Sequence, residues 1–228
     1  MPRSLSIVRF ITLSLLIAGS LAISAASLSY FVEEMPAFLI EKLPLPRQEL
    51  WLLALRTHVA AAALALPGCV LLTSTWLLRR VPRVHRWLGR IVGAAVLLAL
   101  APSGFYLSLS AKGGLLSTLG FVASGLVVVW GMVQGLRAAW ARQMARHRRY
   151  VLHVLAQLSV AVTSRALLVA FSACNIAETP AYLIALWLPV VFSFLLVEVL
   201  VSPRRNHETS RALSDVVGVA GLSRTAAA

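Results

Sequence analysis

An all-α, polytopic bundle of about six transmembrane helices is predicted by three features of this chain. Of its 228 residues, 59% are hydrophobic and 13% are charged, and the mean hydropathy is +0.84. A soluble domain carries about 25% charged and about 45–50% apolar residues, so a water-soluble fold and wholesale disorder are both excluded. Six apolar segments each reach the roughly 20 residues needed to cross ~30 Å of hydrocarbon. Between those segments the basic residues alternate in abundance, which is how a multi-pass protein records its orientation.

The six segments run 10–30, 51–78, 85–109, 115–139, 150–172 and 182–201. No strand-like alternation competes with them, and a backbone in lipid satisfies its own hydrogen bonds best as a helix. Residues 1–27 also match a secretory signal, with a basic start and small residues at Ala22–Ala26. Their apolar run is longer than the usual signal core, which favours a retained first span. Segment two carries Pro67 and Gly68, segment three Pro102 and segment six Pro189. Each proline deletes a backbone hydrogen bond and favours a kink; proline is common in membrane helices, so packing accounts for these three before a ligand does. The stretch 35–43 (MPAFLIEKL) suits a short helix on the outer surface. Residues 1–201 form the membrane domain, and 202–228 read as a disordered cytoplasmic tail.

Of 21 basic residues, 16 fall on one side: Arg79–Arg90 between segments two and three, Arg137–Arg149 between four and five, and both ends of the chain. The opposite loops hold Glu33, Glu34, Glu41, Glu49 and Glu178. The basic side is expected in the cytoplasm, with both termini, in a bacterial inner membrane. The net charge of +13 is thereby explained by the bilayer, and no nucleic-acid partner is called for. Cys69 lies about 27 Å from the outer end of its span and Cys174 near the outer surface, too far apart for a disulfide.

Glycine pairs lie at matched depth in the hairpin of segments three and four. Gly93 and Gly131 are each 19 residues from Lys112, and Gly89 and Gly135 are each 23 away. Small residues four apart let helices approach closely in lipid, so these pairs are expected to meet in the cytoplasmic half.

Ionisable residues inside spans are costly and mark sites. An outer layer holds Arg56, His58 and Arg165, with His58 and Arg165 each about 10 Å inside their helix ends. It reads either as a structural hydrogen-bond set or as a site for an anion or a cofactor propionate. An inner layer holds His85, Arg86, Arg90, His147, His153 and Glu198. Glu198 is expected to pair with an inner Arg or His, and His153, Gln157 and Ser164 share one face of segment five. A nucleotide loop, HExxH, CxxC and any recognisable nucleophile motif are missing.

His58 with Gly68, the run His85-Arg86-Trp87-Leu88-Gly89-Arg90, then His147-Arg148-Arg149-Tyr150, Thr163, Arg165 and Glu198 together resemble the HR-x-x-GR pattern of domain-of-unknown-function family 2306. The resemblance covers roughly Trp51 to Val201 and implies a multi-span bacterial membrane protein; it supplies no activity. His153 departs from the family pattern, in which arginine is usual. Two functional expectations follow: a non-catalytic accessory or small-solute carrier protein, or a single b-type haem or quinone-linked electron-transfer protein with His85 and His147 as haem ligands. A two-haem arrangement is not expected, since the outer layer offers His58 alone.

Overall fold

A computed structural model describes residues 3–32 and 47–201. Among these residues there are helices and turns and no strands. Six helices are long and apolar enough to cross a membrane: Phe10–Val32, Gln48–Leu72, Pro82–Ser108, Leu115–Trp140, Met144–Ala173 and Glu178–Val201, here called spans one to six. The expected surface helix at 35–43 and the tail 202–228 lie outside the described residues.

Spans two, three, four and five form a ring in which each packs on its neighbours. Span one lies in the groove between two and five, and span six in the groove between four and five. The core at the ring's centre is built from small and branched residues, with Ala65, Val96 and Val154 at 0% exposure. Leucines and phenylalanines such as Leu98 and Phe192 point outward, as a lipid-facing surface requires.

Two expectations are corrected. Span two does not run to residue 78; it stops at Leu72, and Thr75–Arg80 forms a separate short helix. The Thr73 hydroxyl donates to Val70 O at 2.7 Å, and the Ser74 hydroxyl caps Leu77 N–H. These hydroxyls offer the backbone partners that compete with continuation of the helix. Span three is interrupted near Pro102, as that proline leads one to expect. Its middle, Val96–Leu100, is a π-helical turn that leads directly into Pro102.

The glycine pairs of spans three and four do not meet. A Cβ on Gly89 would touch nothing within 4 Å, and one on Gly93 would meet the Leu136 and Met132 side chains. Gly131 and Gly135 instead face span five: their Cβ positions lie 3.1 Å from Val154 Cγ2 and 3.2 Å from Val151 Cγ1. Equal depth along a hairpin leaves open which way each glycine faces, and span four turns its small stripe to its other neighbour.

Candidate functional site

Between spans one to six, in the halves nearer the 110–114 turn, lies a cavity of about 540 Å³, within the roughly 300–1,000 Å³ of small-molecule sites. Its polar lining includes His58, Lys112, Gln157, Ser164, Arg165 and Tyr182; Phe105, Phe121 and Leu168 are among its apolar walls. His58 and Arg165 thus share one chamber.

His58 meets span three at the end of its π-turn. Pro102 has no N–H, and the wide turn loosens the ladder around it. Leu100 O accepts from His58 Nδ1 at 3.1 Å. A carbonyl only accepts, so Nδ1 carries the proton and Nε2 is an acceptor. The Ser103 hydroxyl, 3.3 Å from the same Nδ1, donates to Ala99 O at 2.5 Å. Gly104 makes room for the ring: a Cβ there would stand 3.0 Å from His58 Cε1.

Arg165 Nη1 donates to Ala161 O at 2.9 Å, one turn back on its own helix. No carboxylate pairs with it among the described residues. Lys112 and Glu178 form an ion pair across the outer rim. Trp51 Nε1 donates to Ser110 Oγ at 2.7 Å, tying span two to the turn between spans three and four. At the floor, the Ser124 hydroxyl donates to Gln157 Oε1 at 2.8 Å, and Gln157 Nε2 donates to Val190 O and Ser193 Oγ, both at 3.1 Å. Gln157 therefore joins spans four, five and six.

Arg56 does not belong to this chamber. It lies two residues before His58, some 200° round the helix, and its Nε donates to Tyr30 O at 2.8 Å. The expected outer layer thus divides into a cavity pair and an arginine that secures the end of span one.

The expected inner layer divides as well. Glu198 accepts from Arg149 at 2.5 Å and stands 3.0 Å from His153 Nε2. His85 and His147 form a separate group near enough to act on each other electrostatically. His147 Nδ1 donates to Gly135 O at 2.9 Å, and His85 Nδ1 is buried with no partner. Arg86 is exposed, and Arg90 lies over the Trp87 ring at 5.2 Å. No group of three His, Cys, Asp or Glu able to hold a metal ion occurs among the described residues.

Sequence reasoning missed several contributors. Ser20, Ser24 and Ser27 of span one line the cavity, and Ser20 and Ser27 are buried. Their i, i+4, i+7 spacing on an otherwise apolar helix is a legible signal of an inward polar stripe. Ser103, Ser124 and Ser193 carried no such signal, since a lone serine in a membrane helix often bonds only its own backbone.

No curated protein and no solved structure matches this chain. A family model described as "Predicted membrane protein (DUF2306)" matches residues 55–201, the stretch that holds His58, Gln157, Arg165 and the Arg149–Glu198–His153 group. The chain therefore belongs to this family of membrane proteins of unknown function.

Proposed function

We propose that this protein is a non-catalytic small-solute carrier, or the solute-binding accessory subunit of one, and that its solute is a small amphiphilic anion held in the outer cavity. The observation that carries the reading is Arg165, an exposed guanidinium on span five that lines an apolar-walled chamber and has no carboxylate partner among the described residues. A charge at that depth needs a counterpart, and an organic anion supplies one. The neighbouring cation Lys112 is already matched by Glu178, so among the described residues the chamber keeps a net positive charge. His58 Nε2 and the serine stripe of span one supply further polar contacts, and the phenylalanine walls suit an apolar body.

The distribution of arginines supports a bacterial inner membrane with both termini in the cytoplasm, so that the cavity opens in the outer half. The buried faces of Ser20 and Ser27 support retention of span one, because its removal would strip one wall from the chamber. A photoreactive medium-chain carboxylate, added to the protein in nanodiscs, tests the placement. Label on peptides from spans one, three and five, competed by octanoate, is expected; uncompeted label spread over lipid-facing residues would defeat the reading.

A second reading, a single b-type haem between His85 and His147, draws on one observation. The Nδ1–H of His147 is fixed by a backbone carbonyl, an arrangement that leaves Nε2 as a ligand. A pyridine haemochrome assay on protein expressed with haem available, beside a His85→Ala, His147→Ala variant, decides it. Haem in the first sample alone would establish this reading.

A further inference from the structure

His153 is fully buried, at 0% exposure. Its Nε2 faces Glu198 Oε1 of span six at 3.0 Å, and Glu198 Oε2 accepts from Arg149 at 2.5 Å. The Arg149 and Glu198 side chains are about one-third exposed, so the group reaches from the dry interior to the wet inner edge. Aromatic rings enclose the imidazole: Phe194 of span six at 5.0 Å between centroids and Trp130 of span four at 6.4 Å, with Tyr150 edge-on to Trp130. Span four contributes no charge here, since Gly131 is its other neighbour to the ring. Glu198 and Arg149 are the charged groups that act on His153.

The tautomer follows from chemistry. A carboxylate oxygen only accepts, so Nε2 carries the hydrogen that faces Glu198. Nδ1 is then a bare lone pair, buried and without a hydrogen-bond partner. A buried acceptor left unmatched is costly, and the charge that a proton would bring to the ring is offset by Glu198 Oε1, 3.0 Å from Nε2. Gln157 stands four residues on, one turn nearer the outer surface on the same face; it lines the cavity floor.

We infer that His153, with Glu198 and Arg149, is a proton-exchange site at the inner end of the bundle, and that its proton and the anion in the cavity above bind with mutual reinforcement. The coupling, though not the proton site itself, rests on the cavity reading given above. In the exchange step a hydronium ion breaks one O–H bond and is left as water, and its proton forms the Nδ1–H bond. Arg149, Glu198 and His153 pass together from net charge zero to +1. The new charge lies about one helical turn below Gln157 and attracts an anion in the chamber. By linkage, a bound anion favours the proton to the same degree. The pair of ligands is electrically neutral, which suits an anion carried through hydrocarbon.

The test uses the full chain in nanodiscs, labelled with ¹⁵N in its histidine rings. His153 is identified by its contacts to the rings of Trp130 and Phe194, so that no variant is needed for this arm. Its ring nitrogens are expected to change from neutral to imidazolium between pH 8 and pH 5. Octanoate, the probe ligand, is expected to bind at least about fivefold more tightly at the acid end of that titration. His153→Gln, which keeps a donor toward Glu198, should bind octanoate with a flatter pH profile, and Glu198→Gln should keep His153 neutral throughout. A His153 ring that stays neutral from pH 8 to pH 5 would overturn the inference. So would an unchanged octanoate pH profile in His153→Gln, which would assign the effect to His58. If His153 titrates but octanoate binds at no pH, the cavity reading and the coupling fall while the proton site stands.

Discussion

At the residue scale the site depends on groups placed by backbone irregularity. His58 is held by Leu100 O at the end of the π-turn, and Gly104 leaves the ring its space. Gly104→Ala puts a methyl 3.0 Å from His58 Cε1. It is expected to cost roughly 1–3 kcal/mol through overpacking and to weaken octanoate binding, while the equivalent Gly114→Ala, at a position with open space but a φ of 68°, should leave octanoate binding unchanged. Thermal unfolding and octanoate titration of the two variants check this. Sequence made His58, Arg165 and Glu198 visible because an ionisable residue in an apolar helix stands out. It misjudged Arg56, since depth was used where angle decided: two residues apart on one helix means nearly opposite faces. It undervalued His153, whose importance comes from Glu198 and Arg149 meeting it in three dimensions. Glu198→Ala is expected to destabilise the protein by roughly 1–3 kcal/mol, because it strands Arg149 and a buried imidazole together. A melt indistinguishable from that of the unmodified chain would show that the group contributes nothing to stability.

At the element scale the six spans were legible because length and hydropathy decide them. Their interruptions were legible only in part: Pro102 marked the one in span three, whereas the break at Thr73 and Ser74 comes from two hydroxyls of which an apolar run carries little trace. The glycine stripe of span four was visible, but its partner was not, because spacing along a hairpin fixes depth and not direction. Gly89→Ala should be neutral or mildly stabilising, by up to about 1 kcal/mol of helix propensity, since its Cβ would meet nothing. Gly131→Ala should destabilise the junction of spans four and five, because Val154 Cγ2 and Tyr150 O stand at 3.1 and 3.2 Å. Thermal unfolding of the two variants in one detergent checks the order. If Gly89→Ala proved the more damaging, the packing described here would be wrong.

At the scale of the whole molecule, four spans make a ring, and spans one and six close grooves on its flank. The half nearer the 110–114 turn holds an apolar-walled chamber, the middle holds Gln157, and the opposite end holds Arg149, Glu198 and His153. Residues for all three layers were present in the sequence, but the chamber itself arises only when helices meet, and an apolar residue that lines a cavity looks the same in sequence as one that faces lipid. Orientation is a separate expectation of the same scale. Reporter fusions after Arg80 and Arg142 should read as cytoplasmic and one after Lys112 as external; the reverse pattern would turn the molecule over. The central claim is that the chamber binds an amphiphilic anion through Arg165, and equilibrium binding of radiolabelled octanoate to protein-loaded nanodiscs, corrected for empty nanodiscs, tests it most directly. The account predicts one saturable site per chain that weakens at least about tenfold in Arg165→Gln, the loss of a charge-assisted contact worth about 1.5–3 kcal/mol. Equal binding by Arg165→Gln, or no saturable binding by the unmodified chain, would contradict it.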